Sequence, residues 1–130
     1  TNIKSNLIGA YNFHNCCAAI IIGKFFNVEL TDIKIALEKY TPENNRSQII
    51  KTNRHYIILD AYNANPSSMK VALENFKSLE KTNRTKSASI KLRSFNDLKS
   101  FLKENKLPSN SSILIKGSRG MALERVLDCL

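Results

Sequence analysis

Two short segments of this chain concentrate groups able to do chemistry. The first is Asp60-Ala61-Tyr62-Asn63-Ala64-Asn65-Pro66-Ser67-Ser68, which follows the apolar run Tyr56-Ile57-Ile58-Leu59. A carboxylate at the tip of a buried strand can accept hydrogen bonds from a ribose or position a cation. The alternative is a carboxylate that only offsets the dipole of the helix that follows. Tyr62, Asn63 and Asn65 crowd polar groups where a plain connection needs few, which favours the binding role. Asn63 or Asn65 can instead serve the turn itself, since Asn tolerates left-handed backbone. The second segment is Lys116-Gly117-Ser118-Arg119-Gly120, two cations, two glycines and a hydroxyl ahead of an expected helix. Backbone N–H groups in such a place favour a phosphate or a carboxylate, and the alternative is a simple turn. It is not a Walker A loop, and the GxxxxGK[ST] pattern occurs nowhere in the chain.

Three further features carry less. Asn12 and Asn15 lie three apart on an expected helix and share a face. Their amides offer both a donor and an acceptor, the combination an adenine edge requires, although a capping Asn12 beside a surface Asn15 is the simpler reading. Arg46 sits in a polar loop after Pro42, from which a guanidinium can reach a phosphate or simply be solvated. His14 and His55 have no carboxylate, serine or cysteine partner in sequence reach, so both read as structural or exposed.

The elements that must position these groups alternate between helix and strand. A turn at Gly9–Tyr11 leads into a helix with Asn12 as its N-cap and Gly23 as its C-cap. A second helix is expected over Asp32–Tyr40 behind Thr31, with Ile33, Ile35, Ala36 and Leu37 on roughly one face. Residues 1–8 read as a strand tail or a linker, and Thr41–Ser47 as a polar boundary between two domains, 1–40 and 41–130. Gln48–Lys51 and Tyr56–Leu59 read as strands joined by a hairpin-like turn. Ser67 or Ser68 caps the next helix, whose Met69, Ala72, Leu73 and Phe76 keep helical spacing. Lys77–Ser89 reads as a basic loop and Ile90–Arg93 as a short strand. Asn96–Asn105 reads as a helix, Ser112–Lys116 as the clearest buried strand, and a last helix carries Leu123, Val126 and Leu127. The expected class is α/β with a mostly parallel sheet. In such a sheet the strand ends at Asp60 and Lys116 lie on one edge, so both loops face one ligand.

The 130 residues suffice for a single core, and 42% hydrophobic with 24% charged residues belongs to a folding chain. A formal charge of +9 suggests an anionic partner, a nucleotide or a nucleic acid, unless it is only a solvated surface. A small basic nucleic-acid-binding module is therefore the rival reading, but no aromatic platform, helix-turn-helix or RNA-recognition signature accompanies the charge. Cys16, Cys17 and Cys129 form no CxxC pair, which speaks against zinc and for small buried residues in a reducing compartment. The apolar run Ala18–Ile22 is too short to span a membrane and no signal peptide is present, so the expectation is a cytoplasmic protein, with a monomer as the default.

Three segments together resemble a known family. Gly9-Ala10-Tyr11-Asn12-Phe13-His14-Asn15-Cys16-Cys17-Ala18-Ala19, the segment from Asp60 to Met69, and Lys116-Gly117-Ser118-Arg119-Gly120-Met121 with Glu124 following are similar to signatures of the Mur ligases. The match is best to the branch that joins D-alanyl-D-alanine to a UDP-N-acetylmuramoyl-tripeptide. The resemblance implies a Rossmann-like C-terminal ligase domain over 41–130, preceded at 1–40 by the tail of a central ATP-binding domain. It implies ATP-driven amide formation through an acyl phosphate in peptidoglycan precursor synthesis, with ATP and Mg2+ as cofactors and the magnesium ligands upstream. It implies nucleotide-binding roles for Asn12 and Asn15 at the adenine, Asp60 at the ribose, and Arg46 at the domain junction, where it approaches the nucleotide. Lys116 and Ser118 would be catalytic, and Tyr62, Asn63, Asn65, Ser118 and Arg119 would line the substrate cleft. No metal ligand, nucleic acid or membrane is implied for these residues. The family's P-loop and UDP-sugar domain lie upstream, and the chain begins without an initiator Met, so a fragment inactive by itself is expected. After Glu80 the family continues with a strand, a Gly-Asp-Met…Glu-Leu-Gly segment and a helix, in place of which this chain has Lys81–Ser89, an apparent shortening.

Overall fold

The computed structural model describes residues 2–79 and 92–130. The shortening after Glu80 and most of the expected Lys77–Ser89 loop lie outside the described residues, as does the first half of the strand expected at Ile90–Arg93. The described part of that strand, Leu92 and Arg93, is not extended into a sheet. The chain divides into two units, Thr1–Glu43 and Asn44–Leu130.

The first unit is two helices and an extended leader. Helix α1 spans Asn12–Phe25 and α2 spans Leu30–Lys39. Residues 2–8 pair with no strand. They are tied instead to α2, where the Lys4 backbone N donates to Glu38 Oε1 at 3.0 Å and Lys34 Nζ donates to the Asn2 carbonyl at 2.8 Å. Three expectations for the helix ends are corrected. Tyr11, not Asn12, is the N-cap of α1, because Asn12 already lies within the helix. Gly23 does not end α1. A Cβ there would stand 2.8 Å from Ile33 Cδ1, so the glycine is a close-packing position between the two helices. Glu29, not Thr31, precedes α2, its carbonyl accepting from Asp32 and Ile33. Of the apolar face expected on α2, only Ile33 is buried and Ile35 is exposed.

The second unit is built on three strands in the order β1-β2-β3. Strand β1 spans Gln48–Lys51, β2 His55–Asp60 and β3 Ser111–Lys116. The β1–β2 pair is the expected hairpin, antiparallel from Gln48↔Leu59 to Lys51↔Tyr56. Thr52 closes its turn, the hydroxyl accepting from the backbone of Arg54 and His55 at 3.2 and 2.9 Å. Strand β3 joins β2 in parallel, from His55↔Ser111 to Asp60↔Lys116. As the central strand, β2 is buried on both faces, which explains a near-continuous apolar run rather than an alternating one. On one face Ile57, Leu59, Ala61 and Ile115 form the core with Val126. Phe95, Leu98 and Leu102 of α4 (Phe95–Glu104) pack on the same cluster, as do Leu123 and Leu127.

Helix α3 spans Pro66–Leu79, starting three residues before the expected Met69. Neither Ser67 nor Ser68 is its cap. Asn65 takes that role, its Oδ1 accepting from the Ser68 backbone N and the Ser67 hydroxyl, both at 2.8 Å, while Pro66 occupies the first turn where no N–H is needed. Helix α4 starts one residue before the expected Asn96 and carries a capping box. Ser94 Oγ accepts from the Asp97 backbone N at 3.2 Å, and Asp97 Oδ2 accepts from the Ser94 backbone N at 3.0 Å. The last segment is not the expected α-helix but two 3-10 turns, Arg119–Met121 and Leu123–Cys129. Ala122 separates them in a left-handed conformation, φ 45° and ψ 48°, which breaks the helical run.

Candidate functional site

The parallel register decides what stands at the C-terminal edge of the sheet. Asp60 and Lys116 are cross-strand partners, so their side chains leave the same face side by side. Lys116 Nζ lies 3.1 Å from Asp60 Oδ2, with the lysine side chain 6% and the aspartate side chain 18% exposed. The same ammonium donates to the Asn63 carbonyl. Two backbone bonds lace the loops beyond the strands together, Gly117 N to the Asp60 carbonyl at 3.4 Å and Arg119 N to the Tyr62 carbonyl at 2.9 Å. The two polar loops singled out in the sequence are thus one structure.

An aromatic ring carries the cations of this edge. The Arg46 guanidinium sits 3.7 Å from the centroid of the Tyr62 ring, and that of Arg119 5.4 Å from it. Both arginines are exposed, so each contact is worth about 0.5–1 kcal/mol and serves chiefly to hold a charged group in place. The backbone around Arg46 is unusual. Asn44, Asn45 and Ser47 all have left-handed φ, of 59°, 61° and 51°. Asparagine accepts that conformation readily, whereas serine does so at a cost of about 1 kcal/mol. Two positively charged groups thus converge on one ring beside the partly buried carboxylate of Asp60. That is a surface complementary to a polyanion bearing hydroxyl groups.

Other predicted site residues stand as follows. Ser118 precedes the first 3-10 turn and its hydroxyl caps nothing, although its carbonyl accepts from Met121 N at 3.0 Å. The Asn63 side chain is exposed, while the Asn65 carbonyl oxygen is committed to capping α3. In the first unit Asn12 is 8% exposed and spends both ends of its amide within the chain. Its Nδ2 donates to the Ile8 carbonyl at 2.7 Å and its Oδ1 accepts from Asn15 Nδ2 at 2.8 Å. Asn12 therefore orients Asn15, which is exposed. His14 is exposed against Phe13, and His55 is buried at the far end of β2. Among the described residues no group of three His, Cys, Asp or Glu could hold a metal ion. No helix there is long and apolar enough to cross a membrane.

Sequence reasoning missed the Tyr62 ring as the seat of both arginines, because the contact joins three separate segments. It named Glu124 within the third segment but gave it no role, and its Oε2 is buried without a hydrogen-bond partner among the described residues.

No protein-family model matches the chain. Its fold is that of the C-terminal portion of Mur-type peptide ligases. It superposes on an Acinetobacter baumannii MurF crystal structure with a TM-score of 0.78 and 21% identity, over 97% of this chain and 39% of that one. A pseudomurein peptide ligase type C from Methanothermus fervidus shares the fold at a TM-score of 0.57 and 17% identity, over 97% of this chain and 37% of that one. By sequence, the chain is similar to UDP-N-acetylmuramoyl-tripeptide–D-alanyl-D-alanine ligases. One from Buchnera aphidicola subsp. Baizongia pistaciae is 42% identical over 69 residues, 52% of this chain and 15% of that protein. One from Bacillus subtilis is 39% identical over 75 residues, 57% of this chain and 16% of that protein. These matches take in only about a sixth of the relatives' lengths. The resemblance read from the motifs holds, as does the α/β class. The nucleic-acid-binding alternative finds no support among these relatives.

Proposed function

We propose that this chain supplies the C-terminal portion of an ATP-dependent amide ligase that adds D-alanyl-D-alanine to UDP-N-acetylmuramoyl-tripeptide. The observation that carries the reading is the parallel register of β2 and β3. It sets Asp60 against Lys116 and fuses two ligase-like loops into one edge. ATP, with Mg2+ held by residues outside this chain, supplies the phosphoryl group that activates the tripeptide carboxylate. The residues of this edge bind and orient. Asp60 has lone pairs beyond the one taken by Lys116, free to accept from ribose hydroxyls. Arg46, seated on Tyr62, faces the phosphates, and Arg119 on the same ring serves the reacting carboxylate or the incoming dipeptide. Ser118, whose hydroxyl makes no capping bond, offers it to the same substrates, and so does the exposed Asn63 amide. Lys116 acts through Asp60 and the Asn63 carbonyl, fixing the edge rather than touching the reacting atoms itself.

In the first unit, Asn15 meets adenine and Asn12 holds Asn15 in place. We assign residues 1–40 to the tail of a larger ATP-binding domain. The support is α1, which leaves Phe13, Ile21, Ile22 and Phe25 exposed on several sides, as a helix does when more protein is needed to bury it.

Steady-state kinetics of an intact ligase carrying these residues tests the reading. Asp60→Asn is expected to raise KM for ATP by about tenfold with KM for D-alanyl-D-alanine nearly unchanged, and Ser118→Ala to do the reverse. Wild-type constants in both variants would dismiss the assignment.

A further inference from the structure

The other end of the sheet holds a second cluster that none of the roles above uses. His55 opens β2 and lies five residues from Asp60, roughly 16 Å along the strand. Its alternation places the ring on the face of Ile57 and Leu59, under the end of α4. There it lines a cavity of about 240 Å³ together with Arg54, Lys103 and Lys106, walled by Leu102 and Leu107. His55 is 5% exposed, and its Nδ1 is buried with no hydrogen-bond partner among the described residues. A buried ring nitrogen without a partner is uncommon and unfavourable unless something outside the chain satisfies it.

The charges around it point to what that is. No acidic side chain lines the cavity, and the one lining residue that carries a negative group is Leu130, through its terminal carboxylate, which leaves the three cations in excess. None of the three cations forms a salt bridge among the described residues. Lys103 lies in the last turn of α4 and offsets the partial negative charge of that terminus. Arg54 comes from the hairpin turn and Lys106 from beyond the helix, so neither has that explanation. Cations converging on a concave, partly apolar wall concentrate field into the cavity and draw in an anion.

We propose that this cavity is an anion site for a phosphate-type dianion, free or as a small phosphomonoester. The Nδ1–H tautomer of His55 donates at its floor and Arg54, Lys103 and Lys106 neutralise it at the rim. A dianion with several acceptor oxygens suits four donor groups better than a carboxylate with two oxygens. The site stands apart from the Asp60–Lys116 edge and does not depend on the ligase reading.

The test is a titration of the 130-residue chain with inorganic phosphate, followed through the imidazole 15N and 1H resonances of His55, against chloride at matched ionic strength. A saturable shift in phosphate with half-saturation at or below the low millimolar range is expected, with none in chloride. The double variant Arg54→Gln/Lys106→Gln changes two exposed side chains, and it should weaken phosphate by at least about tenfold while the rest of the amide spectrum stays in place. An equal response to chloride, or undiminished phosphate binding in the double variant, would overturn the proposal.

Discussion

Gly117 and Gly120 stand three residues apart in one loop, and the structure assigns them opposite tolerances. Neither has a left-handed backbone, so the difference is one of space. A Cβ on Gly117 would lie 2.4 Å from Leu123 Cδ1, 3.2 Å from Leu123 Cγ and 3.4 Å from Met121 Sδ. Carbon atoms rest at about 3.5–4.0 Å, so Leu123 would have to retreat by more than about 1 Å. Turning its Cδ1 aside leaves Cγ still too close, and Leu123 packs on the Ile57–Ile115 core. Overpacking of this kind costs about 1–3 kcal/mol. Losing a glycine returns about 0.4–1 kcal/mol by restricting the unfolded chain. Gly117→Ala is therefore expected to destabilise by a net of about 1–2 kcal/mol. At Gly120 the same Cβ meets nothing within 4 Å, so Gly120→Ala is expected to be neutral or up to about 1 kcal/mol stabilising. Urea unfolding of the two variants, compared by midpoint at constant slope, measures the contrast. Equal stability of the two would refute the close approach of the loop to Leu123.

Two further expectations concern the same unit. A double-mutant cycle of Asp60→Asn and Lys116→Met should show a coupling of about 2 kcal/mol, below the value for fully buried pairs because Asp60 retains some exposure. Additive effects within about 0.5 kcal/mol in that cycle would mean that the pair contributes nothing. Ser94→Ala removes half of the α4 capping box and is expected to cost about 1 kcal/mol in the same unfolding assay, with Ser94→Gly costing less.

The edge that matters was legible because it depends on periodicity and chain order. The apolar runs at Ile57–Leu59 and Ile113–Ile115, each ending in a charged residue before a polar loop, imply parallel strands whose tips meet. Their parallel pairing and the Asp60–Lys116 ion pair follow that logic. Helix ends were less legible, since caps are chosen by competition among neighbours. Asn65 outcompetes Ser67 and Ser68 because its side chain reaches their donors from the position before Pro66. Gly23 looks like a terminator in sequence, yet the nearness of Ile33, ten residues on, is what requires it. The final helix was misread because spacing of Leu123, Val126 and Leu127 fits a 3-10 turn as well as an α-helix, and nothing local announces a left-handed Ala122. The stacking of Arg46 and Arg119 on Tyr62 is a tertiary fact with no signal in any one segment.

The claim on which the account turns is that the joined loops beyond β2 and β3 form a nucleotide-facing edge. Titrating the chain with ADP while following backbone amides tests it most directly. Saturable shifts are expected at Asp60, Tyr62, Gly117 and Arg119, with affinity about tenfold weaker in Asp60→Asn. Amides at that edge that stay unmoved at saturating ADP, or that move identically in the variant, would contradict it.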